Sequence, residues 1–121
     1  MEKIKFRVWH NIEKTFKKID SMYFNTDNKL YCIMIGDKPY ILPNKKITIL
    51  SYTGIKDRDD KEIFEGDILA SRYFGDDNFE NNKLIVVNID DFSTLNYIKQ
   101  HDGVEFKIVG NIYENKELLN A

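Results

Sequence analysis

Apolar and polar residues alternate along much of the chain, and the repeat is two rather than 3.6. Ile4, Phe6 and Val8 alternate with Lys5, Arg7 and Trp9, the pattern of a half-buried strand. Residues 16–24 are rich in aromatic and large apolar side chains, interrupted at Asp20-Ser21. Asn25-Thr26-Asp27-Asn28 is a turn cluster, because Asn and Asp tolerate the left-handed conformation and bond their own backbone. Residues 30–35 are a continuous apolar run ended by Gly36-Asp37, which predicts a buried strand in a hairpin with the segment before it. Pro39 and Pro43 flank Tyr40-Ile41-Leu42, so that piece is at most an edge strand. Residues 47–52 predict the next strand.

The second half continues the theme. Residues 53–67 are polar and read as irregular, 68–74 as a strand, 75–82 as a loop and 83–89 as a strand broken by Asp90-Asp91. Residues 92–99 are ambiguous, with Thr94, Tyr97 and Ile98 favouring a strand. His101-Asp102-Gly103 marks a tight turn. Val104, Phe106 and Ile108 then alternate with Glu105 and Lys107 in a strand that runs through Gly110 towards Tyr113, and Glu117-Leu118-Leu119 suits one helical turn. The sum is roughly eight short strands at spacings near ten, the pattern of a small barrel or sandwich.

Composition narrows this picture. The chain has 121 residues, one domain's worth. With 42% hydrophobic and 31% charged residues it can build a core and is not a disordered chain. No apolar run approaches the roughly 18 residues of a membrane span, so no membrane partner is expected. The opening Met-Glu-Lys-Ile-Lys-Phe-Arg has no apolar stretch to make a signal peptide, and the lone Cys32 suggests a reducing compartment; a cytoplasmic location is expected. Charge is uneven. Residues 1–50 carry ten Lys/Arg against five Asp/Glu, a net of +5, and residues 51–121 carry eight against fifteen, a net of −7. A globally basic nucleic-acid binder is therefore disfavoured, while a dipolar molecule stays open.

Reactive chemistry finds little support. His10, His101 and Cys32 are too few for a zinc spacing. In the acidic run 57–67, Lys61 and Glu62 occupy positions where a calcium loop needs a ligand and a glycine. No glycine falls into a phosphate-cradling loop, and no Gly-x-Ser-x-Gly elbow occurs. Cys32 sits in an apolar run, where cysteine behaves as a small hydrophobe. No catalytic residue, metal or cofactor is expected, and the chain reads as a non-enzyme.

Two binding surfaces are candidates. Lys3, Lys5, Arg7 and Trp9 share one face of the first strand, with Lys17 and Lys18 soon after. Cations beside an exposed aromatic can grip single-stranded nucleic acid. Equally, the cations could keep the strand soluble while another element covers Trp9; this reading is favoured, since one aromatic is a thin stacking platform. The second candidate is an uncovered strand edge, which could serve a foreign protein or self-association as a homo-oligomer.

Three stretches resemble the YopX family of bacteriophage and prophage proteins. The opening Ile4-Lys5-Phe6-Arg7-Val8-Trp9 is similar to that family's start. Residues 50–69, LSYTGIKDRDDKEIFEGDIL, resemble its signature, with Asp59-Asp60 where the family has Asn-Gly and Phe64 where it has Tyr. Residues 109–119, VGNIYENKELL, resemble its close, with Lys116 at a proline position. The resemblance implies a mainly β fold, with a Src-homology-3-type small barrel in the C-terminal portion, and a phage or prophage context. It supplies no catalytic residues.

The signature residues are those a tight structure demands. Tyr52 can bury its ring at a strand end, and Gly54 allows a turn that other residues resist. Asp57 to Asp60 can turn through side-chain-to-backbone bonds, although the missing Asn-Gly removes the best type I′ pair. Lys61 and Glu62 follow, and Glu65-Gly66-Asp67 turns into the next strand with the Asp oxygen accepting local amides. Gly110, Asn111, Tyr113 and Glu114 are expected to pack the tail across the barrel. The expectation is a single YopX-like domain, residues 1–50 forming an N-terminal β layer and 51–121 the small barrel. Its expected role is that of an accessory protein binding a phage or host-bacterial protein, with nucleic-acid binding as the first alternative and an enzyme as a third, disfavoured reading.

Overall fold

The structure, a computed structural model, describes residues 5–73, 80–100 and 103–119. The fold is mainly β, with a curled half-barrel sheet. In chain order the elements are β1 (Phe6–His10), β2 (Thr15–Lys17), β3 (Ser21–Phe24), β4 (Leu30–Ile35), β5 (Lys38–Ile41), β6 (Ile47–Lys56), β7 (Glu62–Phe64), β8 (Asp67–Tyr73), β9 (Glu80–Val86), α1 (Phe92–Gln100), β10 (Val104–Asn111) and a 3-10 turn at Lys116–Leu119. The chain divides into two compact units, Met1–Leu50 and Ser51–Ala121.

The first unit holds two antiparallel arrangements. β1 pairs with β2, Trp9 opposite Phe16, and on its other side neighbours β6. β3, β4 and β5 form a three-stranded sheet in that order. Its first hairpin turns where the Asn/Asp cluster predicts. Asn25 Oδ1 accepts the amides of Asp27 and Lys29, and Asn28 takes the left-handed conformation at φ 61°. Met22, Ile33 and Tyr40 share the inner face, because the register places them side by side. They join Val8 and Ile47 in one hydrophobic core. Ile33 and Val8 are fully buried, each worth roughly 1.5–3 kcal/mol of transfer free energy.

The second unit has its own core of Ile63, Leu69, Val87, Ile98 and Phe106. β8 is the centre of a sheet ordered β10-β8-β9, and β6 pairs with β7, Tyr52 opposite Phe64 and Lys56 opposite Glu62. Here the structure corrects the expectation of an irregular 53–67. Polar side chains replace the apolar alternation that would have revealed these strands: Thr53 Oγ1 donates to the Ile63 carbonyl at 2.7 Å and accepts the Ile55 amide at 3.1 Å. Gly54, at φ 84°, absorbs the register shift between them.

A second correction concerns residues 92–99, where a strand was favoured and a helix forms. The β-branched and aromatic residues that suggested a strand lose to a cap. Asp91 Oδ1 accepts the Thr94 amide at 3.1 Å, Oδ2 accepts the Thr94 hydroxyl at 2.7 Å, and the Asp91 carbonyl accepts the Leu95 amide. Leu95 and Ile98, three apart, then lie on one helix face against the core. Of the loop expected at 75–82, residues 80–82 belong to β9; residues 74–79 lie outside the described residues, as do 101 and 102 of the expected tight turn.

Candidate functional site

The turn of the signature segment folds around a buried acid. Asp57, 8% exposed, accepts three amides. Its Oδ1 takes those of Asp59 at 2.9 Å and Lys61 at 3.0 Å, which shapes the β6–β7 turn. Its Oδ2 takes the amide of Ile108 on β10 at 3.0 Å. Beside it the Arg58 amide donates to the Phe106 carbonyl at 2.9 Å. The turn therefore supplies one acceptor and one donor to the outer edge of β10, as a neighbouring strand would. The register of β10 against β8 slips just past Ile108, so the bonded amide lies next to a bulge. Asp60 closes the turn in the left-handed region at φ 66°.

The rest of the signature meets the closing motif. Gly66 has φ 87°, and a Cβ there would stand 2.9 Å from Cε2 of Tyr113, so the tyrosine ring lies directly on the glycine backbone. The Gly66 carbonyl accepts the Ile112 amide at 2.9 Å and its amide donates to Val87. Asp67, 1% exposed, accepts the Phe64 amide at 2.7 Å and sits opposite Asn111 in the sheet. Asn111 Oδ1 accepts the amides of Tyr113 and Glu114, and its Nδ2 donates to the Glu114 carboxylate at 3.0 Å. Gly110 leaves room for Asn115, whose Oδ1 would lie 2.7 Å from a Cβ and which accepts the Asn111 amide instead. Tyr52 packs its ring on Phe64, centroids 5.5 Å apart, and the Glu65 amide donates to Ser51. Glu62 is half-buried and Lys61 exposed on this hairpin. Two motifs 40 residues apart in the sequence thus form one hydrogen-bonded junction, and what they build is backbone geometry.

Next to this junction lies a cleft of about 240 Å³, lined by Lys56, Asp57, Arg58, Ile98, Val104, Glu105 and Phe106. The sequence singled out only Asp57 among them. The apolar floor comes from α1 and β10, whose apposition follows from the unforeseen helix. Its acids are committed. Asp57 serves three amides, and Glu105 receives Arg72 Nε at 2.8 Å and Arg58 Nε at 3.9 Å. Among the described residues no group of three or more His, Cys, Asp or Glu is placed to hold a metal ion.

The basic strand is arranged differently from a stacking platform. Trp9 is 4% exposed and meets Phe16 edge-on at 4.9 Å, so its ring offers no open face to a base. The Arg7 guanidinium lies 4.5 Å over the same Phe16 ring. Lys17 Nζ bonds Glu13 at 3.1 Å, which holds the Glu13 carboxyl below its usual range. Lys5 and Lys18 are exposed, and Lys3 lies outside the described residues. His10, which carried no role in the sequence reading, is buried and organises the β1–β2 turn. Its Nδ1 accepts the Glu13 amide at 3.0 Å, and its Nε2 stands 3.3 Å from the Glu13 carboxylate and 3.4 Å from the Tyr40 hydroxyl.

Strand-borne motifs joined through Asp57, Gly66 and Asn111 are matched by a family model, described as YopX protein, over residues 5–120. The chain belongs to the YopX family. Among solved structures it is similar to protein EF1440 from Enterococcus faecalis, at 25% identity and a TM-score of 0.56, covering 98% of this chain and 99% of that one. No curated protein matches it significantly. The YopX match spans both units, so the opening strand, the signature and the closing motif belong to one family pattern. Among the described residues no helix is long and apolar enough to cross a membrane.

Proposed function

We propose that this YopX-family chain is a non-enzymatic accessory protein of phage or prophage, acting in the bacterial cytoplasm by binding another protein. The observation that carries the reading is the outer face of the β3-β4-β5 sheet. Tyr23, Cys32 and Ile41 stand side by side across the three strands, on the face opposite Met22, Ile33 and Tyr40, with Cys32 in the middle of the row buried. Tyr23 and Ile41 are 46% and 61% exposed, and Tyr31 and Phe24 nearby are 43% and 42% exposed. Exposed aromatic and aliphatic side chains gathered on one small sheet are the composition of a protein-docking patch. The polar residues of the family signature, by contrast, are bonded within the fold, which fits a scaffold better than an active site.

Capture from phage-infected lysate tests this. Tagged wild type is expected to retain a protein that survives nuclease and raised salt, and Ile41→Asp, changed on the open face, is expected to lose it. Retention that vanishes with nuclease would favour the nucleic-acid alternative. Capture that Ile41→Asp leaves intact would remove this face from the account.

A further inference from the structure

Two turns of the first unit are bonded to one another. The chain reverses between β1 and β2 at residues 10–14, where the Lys14 amide donates to the His10 carbonyl at 2.8 Å and the Glu13 amide to His10 Nδ1 at 3.0 Å. Asn11 ties this turn to residues 44–46. Its amide donates to the Lys46 carbonyl at 2.8 Å, its Nδ2 donates to the Lys45 carbonyl at 3.0 Å, and its Oδ1 accepts the Thr48 hydroxyl at 3.2 Å. Next to Asn11 stands Ile12, 67% exposed, the most exposed large apolar side chain among the described residues. Lys14, Lys45 and Lys46 are exposed as well. Glu13 is the one acid of the two turns, and Lys17 Nζ bonds it at 3.1 Å.

An exposed isoleucine on a fixed turn, with lysines on both bonded turns, narrows the kind of partner. Protein interfaces are depleted of lysine. Single-stranded nucleic acid needs rings to stack on, and neither turn holds Phe, Tyr or Trp. Duplex phosphates would engage the lysines and leave Ile12 without a contact. An anionic bilayer surface takes both groups, because ammonium groups stay among the phosphates while an apolar side chain enters the headgroup boundary. A turn already ordered loses little entropy on docking. We infer that the bonded turns 10–14 and 44–46 form a peripheral contact with an anionic bilayer, Ile12 entering its headgroup boundary while Lys14, Lys45 and Lys46 meet its phosphates. Such a contact needs no spanning segment. It is weak and reversible, since one apolar side chain and three cations fall short of a stable anchor. It goes beyond the proposed protein-binding role, uses none of the exposed side chains of the β3-β4-β5 sheet, and can fail without it.

Co-sedimentation of the purified full chain with vesicles tests it, pure phosphatidylcholine against phosphatidylcholine with roughly 40% phosphatidylglycerol. Wild type is expected to bind the anionic vesicles at low salt, to leave them as salt screens the lysines, and to ignore the neutral ones. The double variant Lys45→Glu/Lys46→Glu is expected to weaken binding at least about tenfold. Ile12→Ser, at an exposed position, is expected to weaken it about fivefold. Ile12→Trp is expected to strengthen it, which a folding defect cannot do. Its added emission should shift to the blue on anionic vesicles, while the buried Trp9 does not respond. A wild type that never sediments with anionic vesicles overturns the inference. So does binding to neutral and anionic vesicles alike, or binding that either the Ile12 or the lysine variants leave unchanged. Binding to a short DNA duplex that the lysine variants abolish, with no vesicle binding, would give these turns to nucleic acid instead. Vesicle failure beside Ile41-dependent capture from lysate would end the membrane contact and keep the proposed function; vesicle binding without any capture would do the reverse.

Discussion

Asp57 and Ile108 are 51 residues apart in sequence, and the carboxylate of the first accepts the backbone amide of the second at 3.0 Å. Its other oxygen holds the turn that brings it there. Asp57→Ala removes the acceptor of three amides in a buried setting and is expected to cost about 3 kcal/mol. Asp57→Asn keeps one oxygen and turns an NH₂ towards a donor, so it should cost roughly half as much. Urea unfolding of both variants checks the order, with the slope unchanged from wild type.

Asp60 occupies a left-handed position at φ 66° where the family signature has glycine. Asp60→Gly is expected to raise the midpoint of thermal unfolding slightly. Asp60→Val, whose branched side chain resists positive φ, is expected to cost about 1–2 kcal/mol. Equal unfolding midpoints for the two variants would contradict a left-handed Asp60.

Gly66→Ala meets two obstacles, a φ of 87° and the Tyr113 ring at 2.9 Å. A loss of at least about 2 kcal/mol is expected. Tyr113→Ala removes the second obstacle and not the first. The double variant should therefore be more stable than the sum of the single losses predicts, and a double-mutant cycle by denaturation reads this coupling directly.

Asp91 caps α1, and the Thr94 hydroxyl and amide hold its carboxyl below the usual aspartate range. A depressed folded-state pKa means its stabilisation is fully present above the unfolded value. It is lost as pH falls below about 4, through the folded one. Asp91→Ala is expected to lower helical signal at neutral pH and to remove that part of the acid response, as read by circular dichroism and by amide exchange at Leu95. An unchanged acid response would show that the cap contributes nothing.

Much of the β architecture was legible because its strands alternate or end at Asn, Asp, Gly and Pro. The Asn25–Asn28 turn and the apolar β4 strand are the clearest instances. What escaped had local signals pointing the wrong way. β6 continues past Tyr52 and β7 follows it, held by Thr53 and Asp57 rather than by apolar alternation. α1 depends on Asp91, whose neighbour Asp90 made the pair read as a strand break. The structural character of Asp57 and Gly66 could be read from residue type. Their partners Ile108 and Tyr113 could not, because nothing local marks a contact across 51 residues. The alternation puts Trp9 on the correct strand, but its burial under Phe16 depends on the β1–β2 register.

Whether Asp57 completes the sheet, instead of serving a ligand, is tested most directly by native-state hydrogen exchange at the Ile108 amide. That amide should be protected in wild type and exchange at least about tenfold faster in Asp57→Asn, while Leu69 on the central strand changes far less. An Ile108 amide that exchanges freely in wild type, or is indifferent to Asp57→Asn, would contradict the role assigned to the signature acid.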